Sequence, residues 1–347
     1  MMRTFDKVRM LPRLACDVGQ PKIFSFHDCL PDVFSRYLEL LIYKRYKILG
    51  AEELTQRLTG GKSVKEVVLT FDDGRRNMWT VIFPLLKKYR IQAILFVIPE
   101  RLGTTQEHFP NLEDYWKGRV SWEGLYVTHR RQPYLTWKEL EVMQASGFVH
   151  VASHGLRHEV VAVSQSVIDF QHPGVYEIPV FFDEWVAAGT PLPDTSWGAP
   201  VYERSWSPLA QNIYVPDKTM DLLMNQFVKT NGAYFFFKKK GWRRRLFDYF
   251  LQHQREAGPG FFKKNQTQEK ESLSVIDSRR LIQERLRSSC LFFSLPLYQS
   301  SSDTLTFADE AGYKAVFTGS QIVSRGQAPV PILGRIPSFW LQFLAYL

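Results

Sequence analysis

Short apolar runs and amphipathic stretches alternate along most of this chain. Lys22–His27 reads as a short strand, and Pro31–Tyr46 as a helix with Phe34, Leu38, Leu41 and Ile42 at helical spacing. Ala51–Leu58 predicts a second helix, closed by Gly60-Gly61. Val67-Val68-Leu69-Thr70 is a buried-strand pattern that runs straight into Phe71-Asp72-Asp73-Gly74. Asn77–Arg90 then predicts a helix kinked at Pro84, and Ile94–Ile98 a strand covered on both faces. Residues 101–135 are polar and aromatic, as in a loop region at a barrel mouth. Thr136 is placed to cap a helix over Trp137–Ser146, which Gly147 stops before a strand at Phe148–Ala152.

From Glu159 to Ala257 the pattern loosens. Pro191, Pro193, Trp197, Pro200, Tyr202, Trp206 and Pro208 suggest a long structured loop, followed by helices over Asp217–Lys229 and Trp242–Gln254 with the aromatic run Tyr234–Phe237 between them. Residues 258–272 have linker composition. Alternation resumes with a helix over Asp277–Arg287, a strand over Cys290–Ser294, a helix over Asp303–Ala311, a strand over Tyr313–Thr318 and a last strand near Ile332–Ile336. Repeated strand-helix units with polar residues at strand ends predict an α/β barrel, and 159–272 reads as an insertion within a single domain spanning 1–347.

At 347 residues, 45% hydrophobic and 23% charged, the composition is globular and allows a sizeable core. Net charge is +9, but cations cluster only at Lys238-Lys239-Lys240 and Arg243-Arg244-Arg245. Neither cluster is a nucleic-acid motif, which leaves an anionic glycan or a membrane surface as the partner that such charge suits. Three cysteines without C-x-x-C spacing, Cys16, Cys29 and Cys290, exclude a disulfide framework and a thiolate zinc site, so buried free thiols are expected. Met1–Cys16 has no apolar run of signal-peptide length, and no stretch approaches the ~20 apolar residues of a membrane span. The expected location is cytoplasmic.

The chemistry concentrates at two strand ends. Adjacent carboxylates at a terminus point in different directions, so one of Asp72 and Asp73 can hold a metal while the other stays free as a base. His154 and His158 are four apart, and one helical turn between them would put both imidazoles on one face. The spacing is that of zincin proteases, but Gly155 stands where those carry their catalytic Glu, so the base has to come from elsewhere. Together the two stretches supply a His-His-Asp site with positions left for water and substrate. His27, at the end of the first strand, is a further candidate to line it.

Thr70-Phe71-Asp72-Asp73-Gly74 and Ser153-His154-Gly155-Leu156-Arg157-His158 resemble the first two motifs of the polysaccharide deacetylases, the NodB-type homology domain of carbohydrate esterase family 4. The resemblance extends to Phe24–His27, Ala93–Val97, Asp277–Leu286 and Ala311–Thr318. Pro200-Val201-Tyr202-Glu203 and the two helices after it are similar to an insertion of one bacterial subgroup. It implies a distorted (β/α)7 barrel with a long insertion, acting as a hydrolase that removes acetyl groups from carbohydrate such as N-acetylhexosamine units. By that mapping Asp72 is the general base, and Asp73, His154 and His158 bind a divalent metal, zinc above others. The family's third motif appears as Ser294-Leu295-Pro296-Leu297-Tyr298, with Ser294 in the slot of an arginine and Tyr298 in that of a glycine. The backbone N–H of Leu297 survives these changes as oxyanion donor, an orienting cation for the base is missing, and His27 stands in as a speculative proton donor. Competing expectations are a catalytically weak carbohydrate-binding relative and an amidohydrolase acting on a small non-sugar amide.

Overall fold

The computed structural model describes residues 21–60, 65–125, 132–173, 196–265, 267–319 and 328–346. Expectations about Met1–Cys16, Gly61, Pro191 and Pro193 fall outside the described residues. The first half runs β1 (Lys22–Phe26), α1 (Pro31–Tyr43), β2 (Lys47–Ile48), α2 (Ala51–Leu58), β3 (Glu66–Phe71), α3 (Phe83–Tyr89), β4 (Ala93–Val97), α4 (Leu112–Trp116), α5 (Trp137–Ala145) and β5 (Val149–Ser153). It continues with β6 (Val160–Phe170), β7 (Pro200–Trp206), β8 (Asn212–Val215), α6 (Lys218–Thr230), α7 (Trp242–His253), β9 (Phe261–Lys264) and α8 (Thr267–Ser272). Last come α9 (Ser278–Leu286), β10 (Phe292–Ser294), α10 (Ser302–Glu310), β11 (Ala315–Thr318), β12 (Ile332–Gly334) and β13 (Ile336–Pro337).

The chain divides into two compact units, one of residues 1–125, 134–157 and 272–347, the other of 126–133 and 158–271. In the first, parallel strands follow the order β12-β11-β10-β5-β4-β3-β1-β13, with β2 added beside β3. β12 and β13 are halves of one segment interrupted only at Arg335, and they pair with β11 and β1 at opposite ends of the sheet. The sheet therefore closes on itself, and seven strand positions result: the distorted (β/α)7 barrel that the sequence predicts.

The interior follows from the pleat. Ile23, Val68, Ile94, Phe96, Ala152, Phe292, Ala315, Phe317 and Leu333 form one buried cluster to which every strand position contributes. Side chains two apart share a face, so the same faces continue at the C-terminal rim with His27, Asp72, His154, Ser294 and Arg335. An apolar column thus becomes a polar one at the rim, where parallel strands collect their ends.

Several local expectations change. The stretch before α3 is a π-helix over Met78–Ile82 that runs straight into Pro84, so the wider turn falls where proline withholds its N–H. The 101–135 loop contains α4 and is anchored by the buried Arg76, which donates to Tyr134 O at 2.6 Å, pairs with Glu139 and lies 4.2 Å from the Phe109 ring.

In the second unit, the 11-residue β6 pairs antiparallel with β7 through two register shifts. Its alternation is broken by those bulges, which is why it escaped the periodic reading. Residues 258–272 are not a linker: β9 pairs with β8, and α8 follows. Phe170, Trp197, Met220, Met224, Phe236, Leu246 and Phe250 form this unit's own apolar core. Among the described residues no helix is long and apolar enough to cross a membrane. Cys29 and Cys290 are free thiols, and burial pushes each up to about 12, so both stay protonated at neutral pH.

Candidate metal centre

Asp72 and Asp73 leave β3 at its C-terminal end, each 2% exposed. The Asp72 N–H still bonds Phe26 O at 2.9 Å, so the ladder fixes its side chain on the interior face. Asp73 adopts φ +72° and Gly74 φ +71°, a left-handed pair that turns the chain sharply. A Cβ at Gly74 would lie 3.2 Å from Val97 Cγ1, so the turn also needs the glycine for space.

His154 and His158 are not joined by a helical turn. The segment between them is an irregular loop with φ +79° at Gly155 and +52° at His158. Short polar anchors hold it: Gly155 N–H to Ser153 Oγ (3.1 Å), Leu156 N–H to Ser274 Oγ (3.2 Å), and Glu100 N–H to Leu156 O (3.1 Å). The spacing of four still brings the two imidazoles to one place, by loop geometry. Asp73, His154 and His158 are all buried, and one donor atom from each lies within 4.8 Å of the others.

Tautomer and orientation are set locally. His154 Nδ1 donates to Ser294 O at 2.9 Å, which leaves the Nε2 lone pair pointing at the carboxylates, 3.6 Å from Asp73 Oδ1 and 4.0 Å from Asp72 Oδ2. Two ligands at catalytic-zinc distances and a tetrahedral angle are about 3.4 Å apart, so the 3.6 Å separation of His154 Nε2 and Asp73 Oδ1 and the two-nitrogen, one-oxygen donor set fit a divalent cation. The other oxygen of Asp73, Oδ2, accepts from Arg75 Nε at 2.8 Å, and His27 Nε2 lies 3.9 Å from the same atom.

The orienting cation that seemed missing is present. Arg335, 1% exposed, sits at the break between β12 and β13 and donates to Asp72 Oδ1 at 2.7 Å. Ser294 leaves the arginine slot empty on one strand, and a strand further round the barrel fills it. Burial alone would lift the Asp72 carboxyl, but nearby positive charge, that of Arg335 above all, outweighs it and holds Asp72 below the ordinary carboxylate range. Arg335 is raised in turn: burial opposes its charge and Asp72 more than compensates.

The turn after β10 brings the third stretch alongside. Leu297 and Tyr298 adopt φ +52° and +60°, a left-handed backbone that is costly for both side chains. The Tyr298 ring lies 5.5 Å from the Arg335 guanidinium. Sequence reasoning missed Arg75 and Arg335. Arg75 directly follows the Asp-Asp-Gly turn and could have been flagged from its position; Arg335 lies 263 residues from its partner and carries no local signal.

A closed barrel of parallel strands thus gathers at its C-terminal rim a His-His-Asp cluster that could hold a metal ion and a guanidinium-held carboxylate beside it. Residues 59–171, which carry Asp72, Asp73, His154 and His158, match the family described as polysaccharide deacetylase, so the resemblance carried by the two motifs holds. The Bacillus subtilis protein YxkH, which bears the name of a polysaccharide deacetylase, is 33% identical over 72 residues, 20% of this chain and 26% of YxkH. The chain thus matches about a quarter of that relative's length.

Similar solved structures include the Streptococcus pyogenes deacetylase PplD in complex with acetate (15% identity, 92% of each chain, TM-score 0.48). IcaB from Ammonifex degensii aligns at 16% identity over 94% of this chain and 96% of its own, with TM-score 0.48. A de-N-acetylase from Aggregatibacter actinomycetemcomitans aligns at 16% identity over 91% and 93%, with TM-score 0.47.

Proposed function

We propose that this chain is a metal-dependent hydrolase that removes acetyl groups from carbohydrate, with N-acetylhexosamine units of a polysaccharide or glycoconjugate as substrate. The observation that carries the reading is the convergence of Asp73, His154 and His158 beside a separately held Asp72, within a segment that matches the polysaccharide deacetylases. Asp73, His154 and His158 would hold the cation, zinc by preference for this donor set, and that cation would polarise the acetyl carbonyl and acidify a water. Asp72, kept ionised by Arg335, takes the proton from the attacking water. Leu297 offers its backbone N–H to the developing oxyanion, since its turn follows the Ser294 carbonyl that orients His154. His27, half-exposed and beside Asp73, is assigned to protonate the leaving amine.

We read the chain as one barrel domain with 159–272 as an insertion, because β5 and β10 pair directly although the insertion separates them in sequence. Its aromatic residues suit it to face a sugar substrate.

Acetate release from a panel of acetylated sugars and small amides, with zinc supplied, tests the function. Release from N-acetylhexosamine oligomers and not from small amides is expected. Turnover confined to small amides would make the chain an amidohydrolase, and binding of oligomers without any release would make it a carbohydrate-binding relative.

A further inference from the structure

The second unit carries a surface that the hydrolytic site does not use. Lys238, Lys239, Lys240, Arg243, Arg244 and Arg245 place six exposed cations within eight residues. Among the described residues, only Asp169 (to Arg243, 2.9 Å) and Asp248 (to Arg244, 3.9 Å) form ion pairs with them. Large apolar side chains stand exposed in the same stretch. Phe235 is 72% exposed on the 3₁₀ segment Ala233–Lys238, beside the exposed Tyr234.

α7 buries Leu246 and Phe250 against its own unit. Three and seven residues after Arg244, flanking that buried face, it exposes Phe247 and Leu251. An apolar stripe that runs past the buried face into solvent, with cations at the helix's N-terminal end, is more than packing within the unit uses. Solvation would explain the cations, but not the rings among them.

We propose that this face docks onto the surface of an anionic lipid bilayer. Acidic headgroups complement the cations, and the upper acyl region takes Phe235, Phe247 and Leu251, the pairing of signals that stable peripheral binding requires. A glycan fits less well, because Phe and Leu side chains offer no hydrogen bond to sugar hydroxyls. The apolar contacts make binding less sensitive to salt than charge alone would be.

Flotation of the full chain with vesicles of phosphatidylcholine, alone or mixed with phosphatidylglycerol, tests the proposal. Binding is expected only where phosphatidylglycerol is present. The triple variant Lys238→Glu/Lys240→Glu/Arg244→Glu should weaken it by about a hundredfold or more, and the same three positions as Arg should retain it. Phe235→Ser/Phe247→Ser should weaken binding several-fold and leave the residue more salt-sensitive. Unchanged thermal unfolding of each variant establishes that the fold is intact. Equal binding to both vesicle types, or wild-type binding by the triple Glu variant, overturns the proposal. So does binding by polygalacturonate that the triple variant loses while its vesicle binding persists, which would assign the face to an acidic glycan.

Discussion

The barrel rim and the outer face of α7 hold charge in opposite ways. At the rim Asp72, Asp73, Arg75 and Arg335 are each no more than 3% exposed, and each has a charged partner within 2.8 Å. On α7 and the segment before it six cations stand in solvent with two acids near them. Buried charge has to be met by an opposite charge, because the interior cannot solvate it, whereas exposed charge is matched by water. A substitution at the rim therefore propagates to its partner, and one on the face of α7 stays local.

The sharpest way to break that contrast is at Asp72. Asp72→Asn keeps an oxygen for Arg335 to bond but cannot take a proton, so acetate release should fall by ~10²–10⁴-fold while metal content is unchanged. A loss under tenfold would remove Asp72 from the role of base, and loss of metal would exchange its role with that of Asp73. His154→Ala and His158→Ala should each lose stoichiometric metal, measured by elemental analysis; full retention in both would sink the site.

Arg335→Met comes next. It strands a buried carboxylate, so denaturant titration should register a loss of about 3–5 kcal/mol. With its largest counter-charge gone, burial raises Asp72, and the acid limb of activity should move to higher pH. Unchanged stability and an unmoved acid limb would show that Arg335 does not hold the base.

A third test lies within the barrel wall. Burial holds His150 neutral, down to about 4 from an ordinary value near 6.5, so the unfolded chain takes up a proton there that the folded chain refuses. Its contribution to stability is intact above pH ~6.5 and is lost as pH falls towards 4, in total about 3 kcal/mol. His150→Phe should flatten that part of the stability profile; a profile identical to wild type would mean that His150 does not titrate there. The smallest effect belongs to the exposed face: Lys240→Gln or Arg244→Gln should change unfolding free energy by less than about 0.5 kcal/mol.

How much was legible beforehand depends on the range of the interaction. Val67–Thr70, Ile94–Ile98 and Phe148–Ala152 announced their strands because each is a continuous apolar run bounded by turn residues. Asp72, Asp73, His154 and His158 announced themselves because a strand end followed by glycine or a four-residue spacing is a local pattern. The helical turn that would have put both histidines on one face is not formed, since spacing constrains which side chains can meet and leaves the backbone path open. β6 was missed because its bulges break the alternation, and the linker at 258–272 proved to contain β9 because pairing with β8 overrides a polar composition.

The sequence by itself determined the alternating barrel, and it singled out Asp72, Asp73, His154 and His158 as candidates and the chemistry they are suited to, since all of these are written in neighbours and short periods. Only the tertiary structure decided that the barrel closes through one segment split at Arg335, and that this residue, and no neighbour of Ser294, holds Asp72. Closure depends on which strand lies beside which, and the Asp72–Arg335 bond joins residues 263 apart. No local propensity encodes such a contact; it exists because the pleat of two distant strands aims both side chains into the same interior.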